Sequence, residues 1–460
     1  PWGCFTAHRA LAVGNVRFVQ HVLPDLEIPA EVPALPPRVF AERYARLERA
    51  REAAGFDGLA IYADREHSAN LAWLSGFDPR FEEALWIQGA RATPTLLVGN
   101  ENLSYAPSQL KIPAEVVLYQ PFSLPNQDRS RSADLPGLLR DAGLERGARV
   151  GLVGWKPQAQ PDVPYWIVQA FTEVSGGEPV NTSALLMDPE VGLRVTLEPE
   201  MIRFCEYASS LTSTALRRWV ASLQEGLSER DAAALLQAFG LELSCHVMVN
   251  FGRPIPSGLK SPRNARITRG DYAQAAFGLI GGLTSRAGRL IERDDSDDQD
   301  RYLDLVADYL RVVRAWYARL AVGVPAGAVV AAAERARAEP WDFAVNPGHL
   351  LHLDEWVSSP FYSGSSVALQ SGYAIQQDII PVPRQGAAVI NMEDGFVLAD
   401  DDLRGRLRRL DPSLMQRCER RRALMEALGF EIHPDVLPLS NIAGAFFPFL
   451  LDARFVAKFS

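Results

Sequence analysis

The sequence NPGHLLHLDEW, residues 346–356, places two histidines and two acidic residues within seven positions. These residues are His349, His352, Asp354 and Glu355. The Asn-Pro-Gly triplet before them predicts a tight turn, because Pro presets φ and Gly accepts a positive φ. Leucines alternate with His352 and Asp354, a pattern that predicts a short strand with one polar face. Such a strand could present an imidazole and a carboxylate to one pocket, although two hydrogen-bonded structural histidines fit the same pattern.

The composition is that of a globular protein. A chain of 460 residues is too long for one ordinary core, so two domains are expected. The net charge of −9 argues against nucleic acid or an anionic membrane as a partner. The four cysteines are widely spaced and form no CxxC pair, which indicates reduced thiols in a cytoplasmic protein, without disulfides or a zinc site. No apolar run approaches the roughly 20 residues that span a bilayer.

Four segments are expected along the chain: an irregular N-terminal arm (1–37), an α/β domain (38–190), a larger domain (191–430) and a C-terminal tail packed on it (431–460). An amphipathic helix over Val39–Ala54 and strands that alternate with helices predict the α/β domain. The predicted strands are Gly58–Tyr62, Thr95–Val98 and Val150–Val153.

The larger domain begins with a predicted long helix at Glu198-Pro199-Glu200, because Pro suits the first helical position and acids complement the N-terminal dipole. Ser228 begins a capping-box-like motif for a helix expected to run to Gly240. Apolar residues at i, i+3 and i+4 steps predict further helices over Tyr302–Leu320 and near Ala328–Ala338. Strand-like segments are Leu241–Val249, Tyr272–Ile280, Tyr373–Val382 and Ala387–Ala399. The pattern fits an α+β domain in which helices back a curved antiparallel sheet.

The order of four short motifs resembles that of the pita-bread superfamily. Two helices are followed by Arg269-Gly270-Asp271, Gly348-His349, Ser371-Gly372 and Asn391-Met392-Glu393-Asp394. The superfamily includes Xaa-Pro aminopeptidase, prolidase and the metal-free relative creatinase, and the resemblance covers about residues 38–430. It implies a pita-bread domain with a curved antiparallel sheet, preceded by a smaller creatinase-type α/β domain. It also implies a homodimer.

The peptidases of this superfamily hold two metal ions with five side chains, in the order Asp, Asp, His, Glu, Glu. Two divalent ions need several hard oxygen ligands to activate a water and polarise a carbonyl. The resemblance places these five positions at Ala276, Arg286, His349, Asp378 and Glu393. Both Asp ligands are therefore missing, and no metal is assigned. A divalent ion is expected only if His349, Asp378 and Glu393 suffice to hold it.

The resemblance puts Arg286 at the second Asp position. We expect its guanidinium to pair with Asp378 and Glu393, because buried carboxylates need a cation and a guanidinium can bind them bidentately. Under the alternative alignment, shifted by one residue, Ala287 takes the ligand position and Arg286 is exposed. The first alignment, with Arg286 at the Asp position, also matches Arg289 to an Arg that the superfamily carries downstream.

The histidine that orients substrate in the superfamily, and that serves creatinase without metal, is replaced here by Leu259. His246, on the predicted strand Leu241–Val249, is a candidate to reach the pocket in its place. A structural role is the alternative, since a neutral histidine is tolerated in a core when it is hydrogen-bonded.

These residues support three functional hypotheses. The first is an Xaa-Pro aminopeptidase- or prolidase-like hydrolase with a degenerate metal site, which acts without metal on a small amide or peptide-like ligand, or binds one. The second is a non-catalytic ligand-binding or scaffold protein. The third is a mononuclear metallopeptidase, because three protein ligands and a water can hold a divalent ion. Arg286 argues against the third by charge repulsion.

The first hypothesis assigns a role to each candidate residue. The predicted catalytic residues are His349, His352, Asp378 and Glu393. The predicted ligand-binding residues are Asp354, Glu355, Arg286, Arg289 and His246.

Overall fold

The structure is a computed structural model that describes residues 11–253, 258–295, 299–338, 340–384 and 389–460. The chain divides into two compact units. The smaller unit is Leu35–Val195, and the larger combines the described residues up to Ala34 with Thr196–Ser460.

The first described residues form strands. β1 (Leu11–Val13) and β2 (Val16–Gln20) make an antiparallel hairpin, and β2 also pairs with the last strand of the chain. Val16 and Phe18 are buried while the residue between them is exposed, which is the alternation of a half-buried strand. The expectation of irregular structure is therefore wrong for residues 11–20.

A six-stranded mixed sheet forms the centre of the smaller unit. The strands follow the order β6-β5-β4-β3-β7-β8, with β3 parallel to β7 and antiparallel to β4. The strands are β3 (Gly58–Ala63), β4 (Ala84–Gln88), β5 (Thr95–Val98), β6 (Glu115–Leu118), β7 (Val150–Val153) and β8 (Val180–Asn181). The helices are α1 (Pro37–Ala53), α2 (Ala69–Ser75), α3 (Asn102–Gln109), α4 (Leu135–Asp141), α5 (Tyr165–Ser175) and α6 (Ala184–Met187). All three predicted strands and the predicted first helix are confirmed.

Six helices of the larger unit follow the apolar patterns of the sequence. They are α7 (Pro199–Ala221), α8 (Glu229–Ala233), α9 (Gln299–Ala318), α10 (Ala326–Ala336), α11 (Asp401–Leu410) and α12 (Pro412–Ala427). α7 starts with Pro at its first position and Glu200 in its first turn, as predicted. Ser228 caps α8 by accepting a hydrogen bond from the backbone N–H of Asp231, but this helix ends at Ala233 and not near Gly240.

A curved antiparallel sheet organises the larger unit, so the predicted α+β pita-bread fold class is confirmed. Its strands follow the order β13-β14-β16-β11-β10-β9, and β17 also pairs with β16. They are β9 (Met248–Gly252), β10 (Tyr272–Leu279), β11 (Gly282–Arg289), β13 (His349–Leu350), β14 (Ala374–Asp378), β16 (Asn391–Leu398) and β17 (Val436–Pro438). Outside this sheet, β12 (Trp341–Phe343) pairs with β15 (Pro381–Pro383), and β18 (Phe455–Phe459) pairs with β2.

Helices cover one face of the curved sheet. Trp316 of α9 packs edge-on against Phe396 of β16, with ring centroids 5.8 Å apart. Thr212 of α7 shares a hydrogen bond of 2.9 Å with Thr284 of β11. Because side chains alternate along a strand, Asp394 lies on this helix-covered face, two residues from Phe396, and Glu393 lies on the other.

Two predicted strands are shorter than expected. Leu241–Val249 is strand only from Met248 onward, so His246 precedes β9. The strand expected from the alternation around His352 and Asp354 ends at Leu350, and both residues lie in the bend that follows. None of the helices in the described ranges combines the length and apolar character that crossing a membrane requires.

Candidate active site

The face of the curved sheet opposite the one that carries Asp394 and Arg286, called the open face below, brings together three of the predicted catalytic residues. Asp378 of β14 lies directly opposite Glu393 of β16, which lies opposite Ser285 of β11. His349 of β13 lies opposite Gln376, two residues before Asp378. Directly opposed residues share a face, and residues two apart on one strand share it as well. All five side chains therefore belong to one face.

His349, Asp378 and Glu393 form a compact group. One ligand atom from each lies within 4.8 Å of the other two. The three residues are 0%, 7% and 5% exposed, and His349 Nε2 lies 3.7 Å from Glu393 Oε1. His349 Nδ1 lies 3.4 Å from the carbonyl oxygen of Leu350. If Nδ1–H donates to this carbonyl, the lone pair of a neutral imidazole lies on Nε2, the atom that faces Glu393.

The polar atoms of this face lack hydrogen-bond partners. Buried polar groups in proteins are nearly always hydrogen-bonded, so a cluster of exceptions needs an explanation. The buried atoms without a partner on this face are Ser285 Oγ, His349 Nε2, Gln376 Oε1, Asp378 Oδ1, Asn391 Oδ1 and Glu393 Oε1.

Burial and mutual repulsion keep the two carboxyl groups from ionising easily. The pKa of Asp378 lies well above its usual value because of burial and the charge of Glu393, although His349 and a hydrogen bond from Asn391 oppose the rise. The pKa of Glu393 is also raised well above its usual value, first by burial and then by the charges of Glu355 and Asp394, although the charge of Arg286 opposes the rise. A bound cation would remove this cost.

Three further side chains border the group. Glu355 raises the pKa of both carboxyl groups by its charge, so it lies near them, and its role in ligand binding stays a prediction. Trp356 stacks on the imidazole of His349, with ring centroids 4.3 Å apart and planes inclined by 16°. Burial raises the pKa of the Cys245 thiol to about 12, with smaller contributions from the charges of Glu355 and Glu393. Cys245 is therefore a neutral thiol at the edge of the site.

Arg286 does not belong to this site, and the expectation that it neutralises Asp378 and Glu393 is wrong. It lies opposite Met392, on the helix-covered face, and is 1% exposed. Its Nη2 lies 2.9 Å from both carboxylate oxygens of Asp394. Its other N–H groups donate to the backbone carbonyls of Ser285, Glu393, Ile442 and Ala445. The alternative, an exposed Arg286, is wrong as well.

The remaining predicted ligand-binding residues fall at different places. Arg289 shares the face of Ser285, but it is four residues further along β11, about 13 Å at the usual rise per residue. Its Nε donates to the carbonyl oxygen of Gly270 at 3.2 Å. His246 is exposed, and its Nε2 lies 2.7 Å from the carbonyl oxygen of Leu259. The structure therefore does not bring Arg289 and His246 into the group around His349.

His352 and Asp354 follow His349 in the bend after β13. His352 is fully buried, and its backbone N–H donates to the carbonyl oxygen of Asp354 at 3.1 Å. Neither residue belongs to the group whose ligand atoms converge within 4.8 Å. Their roles in catalysis and ligand binding stay predictions.

Sequence reasoning missed Ser285, Gln376 and Asn391. Gln376 and Asn391 each precede a predicted catalytic carboxylate by two residues. Because a strand presents every second residue to one face, this spacing alone could have placed them beside Asp378 and Glu393. Ser285 could not be found in this way, since its position depends on the register between β11 and β16.

The donor set fits one divalent cation and not two. A five-ligand dinuclear centre needs further acids, whereas the face carries Ala276 opposite Ser285 and Ser285 opposite Glu393. One imidazole and two carboxylates can hold a single ion together with water. The orphaned Nε2 of His349 and oxygens of Asp378 and Glu393 are the atoms that such an ion would contact.

Comparison with known proteins finds similarity in structure only. No protein-family model and no curated protein matches the sequence. An Xaa-Pro dipeptidase from Bacillus anthracis matches with a TM-score of 0.61 and 16% identity, over 79% of this chain and 96% of that one. A prolidase from Pyrococcus furiosus matches with 0.59 and 18%, over 76% and 96%. An X-Pro aminopeptidase from Thermotoga maritima matches with 0.59 and 16%, over 78% and 95%. The chain therefore has the pita-bread fold of these peptidases.

Proposed function

We propose that the protein is a hydrolase of short peptide-like amides that depends on one divalent cation held by His349, Asp378 and Glu393. One observation carries this proposal. Each of the three side chains offers a ligand atom within 4.8 Å of the other two, and each carries a buried atom without a hydrogen-bond partner: His349 Nε2, Asp378 Oδ1 and Glu393 Oε1. Protein interiors rarely leave such atoms unsatisfied without a ligand to receive them.

Charge supports the same conclusion. Asp378, Glu393 and the nearby Glu355 concentrate acidic groups, and within the described part of the chain neither Asp378 nor Glu393 pairs with a Lys or Arg side chain. Buried charges are normally paired or bound to a metal. The sequence-based objection to a metal was Arg286, and that guanidinium binds Asp394 on the other face.

A divalent ion in this position would polarise the scissile carbonyl and lower the pKa of a bound water. The chain's own residues would prepare the site. Trp356 and the Leu350 carbonyl hold the imidazole of His349 in one orientation. Asn391 donates a hydrogen bond to Asp378 and so holds that carboxylate. Glu355, which is partly exposed, would accept the proton of the attacking water at its carboxylate.

The substrate class rests on the structural neighbours. Xaa-Pro dipeptidase, prolidase and X-Pro aminopeptidase are the names of proteins with this fold, and all act on peptides. Xaa-Pro dipeptides are therefore the first substrates to test.

Metal content is the direct test. After incubation with excess manganese or zinc and desalting, elemental analysis should find about one ion per chain. Glu393→Gln should lose the ion, because an amide is a much weaker ligand than a carboxylate. Glu419→Gln, at a side chain that is 60% exposed, is the matched control and should keep it. A wild type that retains no ion would overturn the proposal.

Turnover of Xaa-Pro dipeptides separates the proposal from the other two hypotheses. We expect hydrolysis that EDTA abolishes and manganese restores. Hydrolysis that persists in EDTA would support the metal-independent hydrolase. Uptake of metal and peptide without turnover would support a ligand-binding protein.

A further inference from the structure

The unpartnered atoms on the open face of the sheet are almost all hydrogen-bond acceptors. The side-chain N–H of Gln376 donates to the carbonyl oxygen of Leu283 at 2.8 Å, which leaves Gln376 Oε1 as an acceptor. Asn391 donates its amide N–H to Asp378, which leaves Asn391 Oδ1 as an acceptor. The orphaned carboxylate oxygens accept as well.

Ser285 is the exception. Its hydroxyl is 2% exposed, and Oγ has no hydrogen-bond partner. A hydroxyl can donate, and this proton has no acceptor within the described part of the protein. Once His349 Nε2 serves as a metal ligand, the Ser285 O–H is the donor that remains among the orphaned atoms of this face.

The register places this donor beside the proposed cation. Ser285 lies directly opposite Glu393, and directly opposed residues have Cβ atoms about 4.5–5.5 Å apart. On its other side, Ser285 lies opposite Ala276. The next residue of β11 on the same face is Ala287. Both neighbours of Ser285 on this face are therefore methyl side chains, which are no larger than the serine side chain itself.

We propose that Ser285 Oγ donates a hydrogen bond to the carbonyl oxygen of the ligand's amide, next to the cation held by His349, Asp378 and Glu393. The inference rests on the proposed function and names a further residue of the same site. A peptide carbonyl is a neutral acceptor in the ground state and gains negative charge as the amide is attacked. The hydroxyl would therefore bind the substrate weakly and the transition state strongly.

Removal of the hydroxyl has a measurable signature. Ser285→Ala should lower kcat about 10²–10³-fold, the usual effect of losing one such donor, with a smaller change in KM. The affinity for an unreacted peptide should fall about fivefold, as for one ordinary hydrogen bond. Ser285→Thr keeps the hydroxyl and should retain most of both.

A binding cycle tests the contact without using activity. Titration calorimetry would compare glycyl-proline with its planar alkene isostere, in which a carbon–carbon double bond replaces the amide and no carbonyl oxygen is present. Wild type, Ser285→Ala and Ser285→Thr would each carry Glu355→Gln, which removes the proposed proton acceptor so that the dipeptide is not consumed. Each would be measured with manganese and with EDTA, and thermal melts would establish that all three fold. We expect Ser285→Ala to weaken glycyl-proline binding and to leave the isostere unchanged.

The outcomes separate this inference from the proposed function. Equal weakening of both ligands, or no weakening of either, in both buffers would overturn the contact with Ser285. Failure of the wild type to bind glycyl-proline in either buffer would overturn it too. A carbonyl-specific loss that appears without any retained manganese would support Ser285 and overturn the single-cation proposal.

Discussion

Glu393 and Asp394 are neighbours on β16, are both almost completely buried, and have opposite surroundings. On the helix-covered face, Asp394 accepts two hydrogen bonds of 2.9 Å from Arg286, one of 2.7 Å from Ser440 and one of 3.2 Å from the backbone of Gly444. On the open face, Glu393 Oε1 has no hydrogen-bond partner. The two carboxylates are buried to a similar extent and differ in the groups that surround them.

We interpret Asp394 as a structural charge, and our proposal makes Glu393 a ligand-binding one. The carboxylate of Asp394 is neutralised by the chain itself, so its ion pair holds β16 to β11 and to the segment after β17. No atom in the described part of the protein forms a hydrogen bond with Glu393 Oε1, so this oxygen can bind an ion or a ligand. Burial alone could not have distinguished them, whereas the count of hydrogen-bond partners does.

The largest expected change in stability comes from breaking the ion pair between Arg286 and Asp394. Arg286→Met leaves the charge of Asp394 buried without a cation to pair with, which should lower the free energy of unfolding by about 3–5 kcal/mol. Urea denaturation followed by circular dichroism measures it. Arg65→Met, at a side chain that is 79% exposed, is the control and should change stability little. If Arg286→Met unfolds at the same urea concentration as the wild type, the described pair is not a structural one.

Binding of a divalent cation to the open face should stabilise the folded protein. A ligand that binds only the folded state raises the free energy of unfolding by about 2.7 kcal/mol at 100 times its Kd. Thermal melts of the wild type should therefore shift upward as manganese is added. Glu393→Gln should show no shift, and Glu419→Gln should shift like the wild type. An equal shift in all three proteins would place the metal elsewhere.

The pH dependence of stability should also distinguish the two faces. In EDTA, the raised pKa values of Asp378 and Glu393 mean that the folded protein keeps protons that the unfolded chain releases above about pH 4. The stability that these groups contribute is therefore present at low pH and is lost as pH rises, by up to about 1.4 kcal/mol per pH unit for each proton.

The measurement for this pH effect is the difference between two proteins. Urea titrations from pH 4 to 8 in EDTA would compare the wild type with Asp378→Asn/Glu393→Gln, which has nothing to ionise at these positions. The wild type should lose stability relative to the double variant as pH rises, and saturating manganese should suppress the loss. If the stability of the wild type instead rises relative to that of the double variant as pH increases, the raised pKa values of Asp378 and Glu393 are contradicted.

The smallest expected effect concerns the stack over His349. Aromatic pairs contribute about 0.5–1.5 kcal/mol beyond their buried area. Trp356→Ala should therefore weaken manganese binding severalfold, because the imidazole loses the ring that orients it. Trp166→Ala is a matched control, since Trp166 is 38% exposed and Trp356 is 37% exposed. Calorimetric titration with manganese gives both affinities, and equal values would show that the stack does not position His349.

Much of the fold was predictable from local patterns. Apolar spacing and Pro199 located α7, and the i, i+3, i+4 stripe located α9 within three residues at its N-terminus and two at its C-terminus. Strands such as Thr95–Val98 were located residue by residue. In these elements the spacing of apolar residues along the sequence indicates which side chains are buried, so the element can be located without knowledge of the tertiary structure.

Three residues of the site could also be identified from the sequence alone. The order of motifs identified His349, Asp378 and Glu393, and the structure brings their ligand atoms together. The partners of the charged side chains, in contrast, depend on how the strands pair. A two-residue turn with Gly281 at φ +91 sets the register of β11 against β10, where Ser285 lies opposite Ala276. The separate pairing of β11 with β16 places Ser285, and not Arg286, opposite Glu393. Because successive side chains of a strand point to opposite faces, this one-residue difference moves Arg286 from the site to the other side of the sheet.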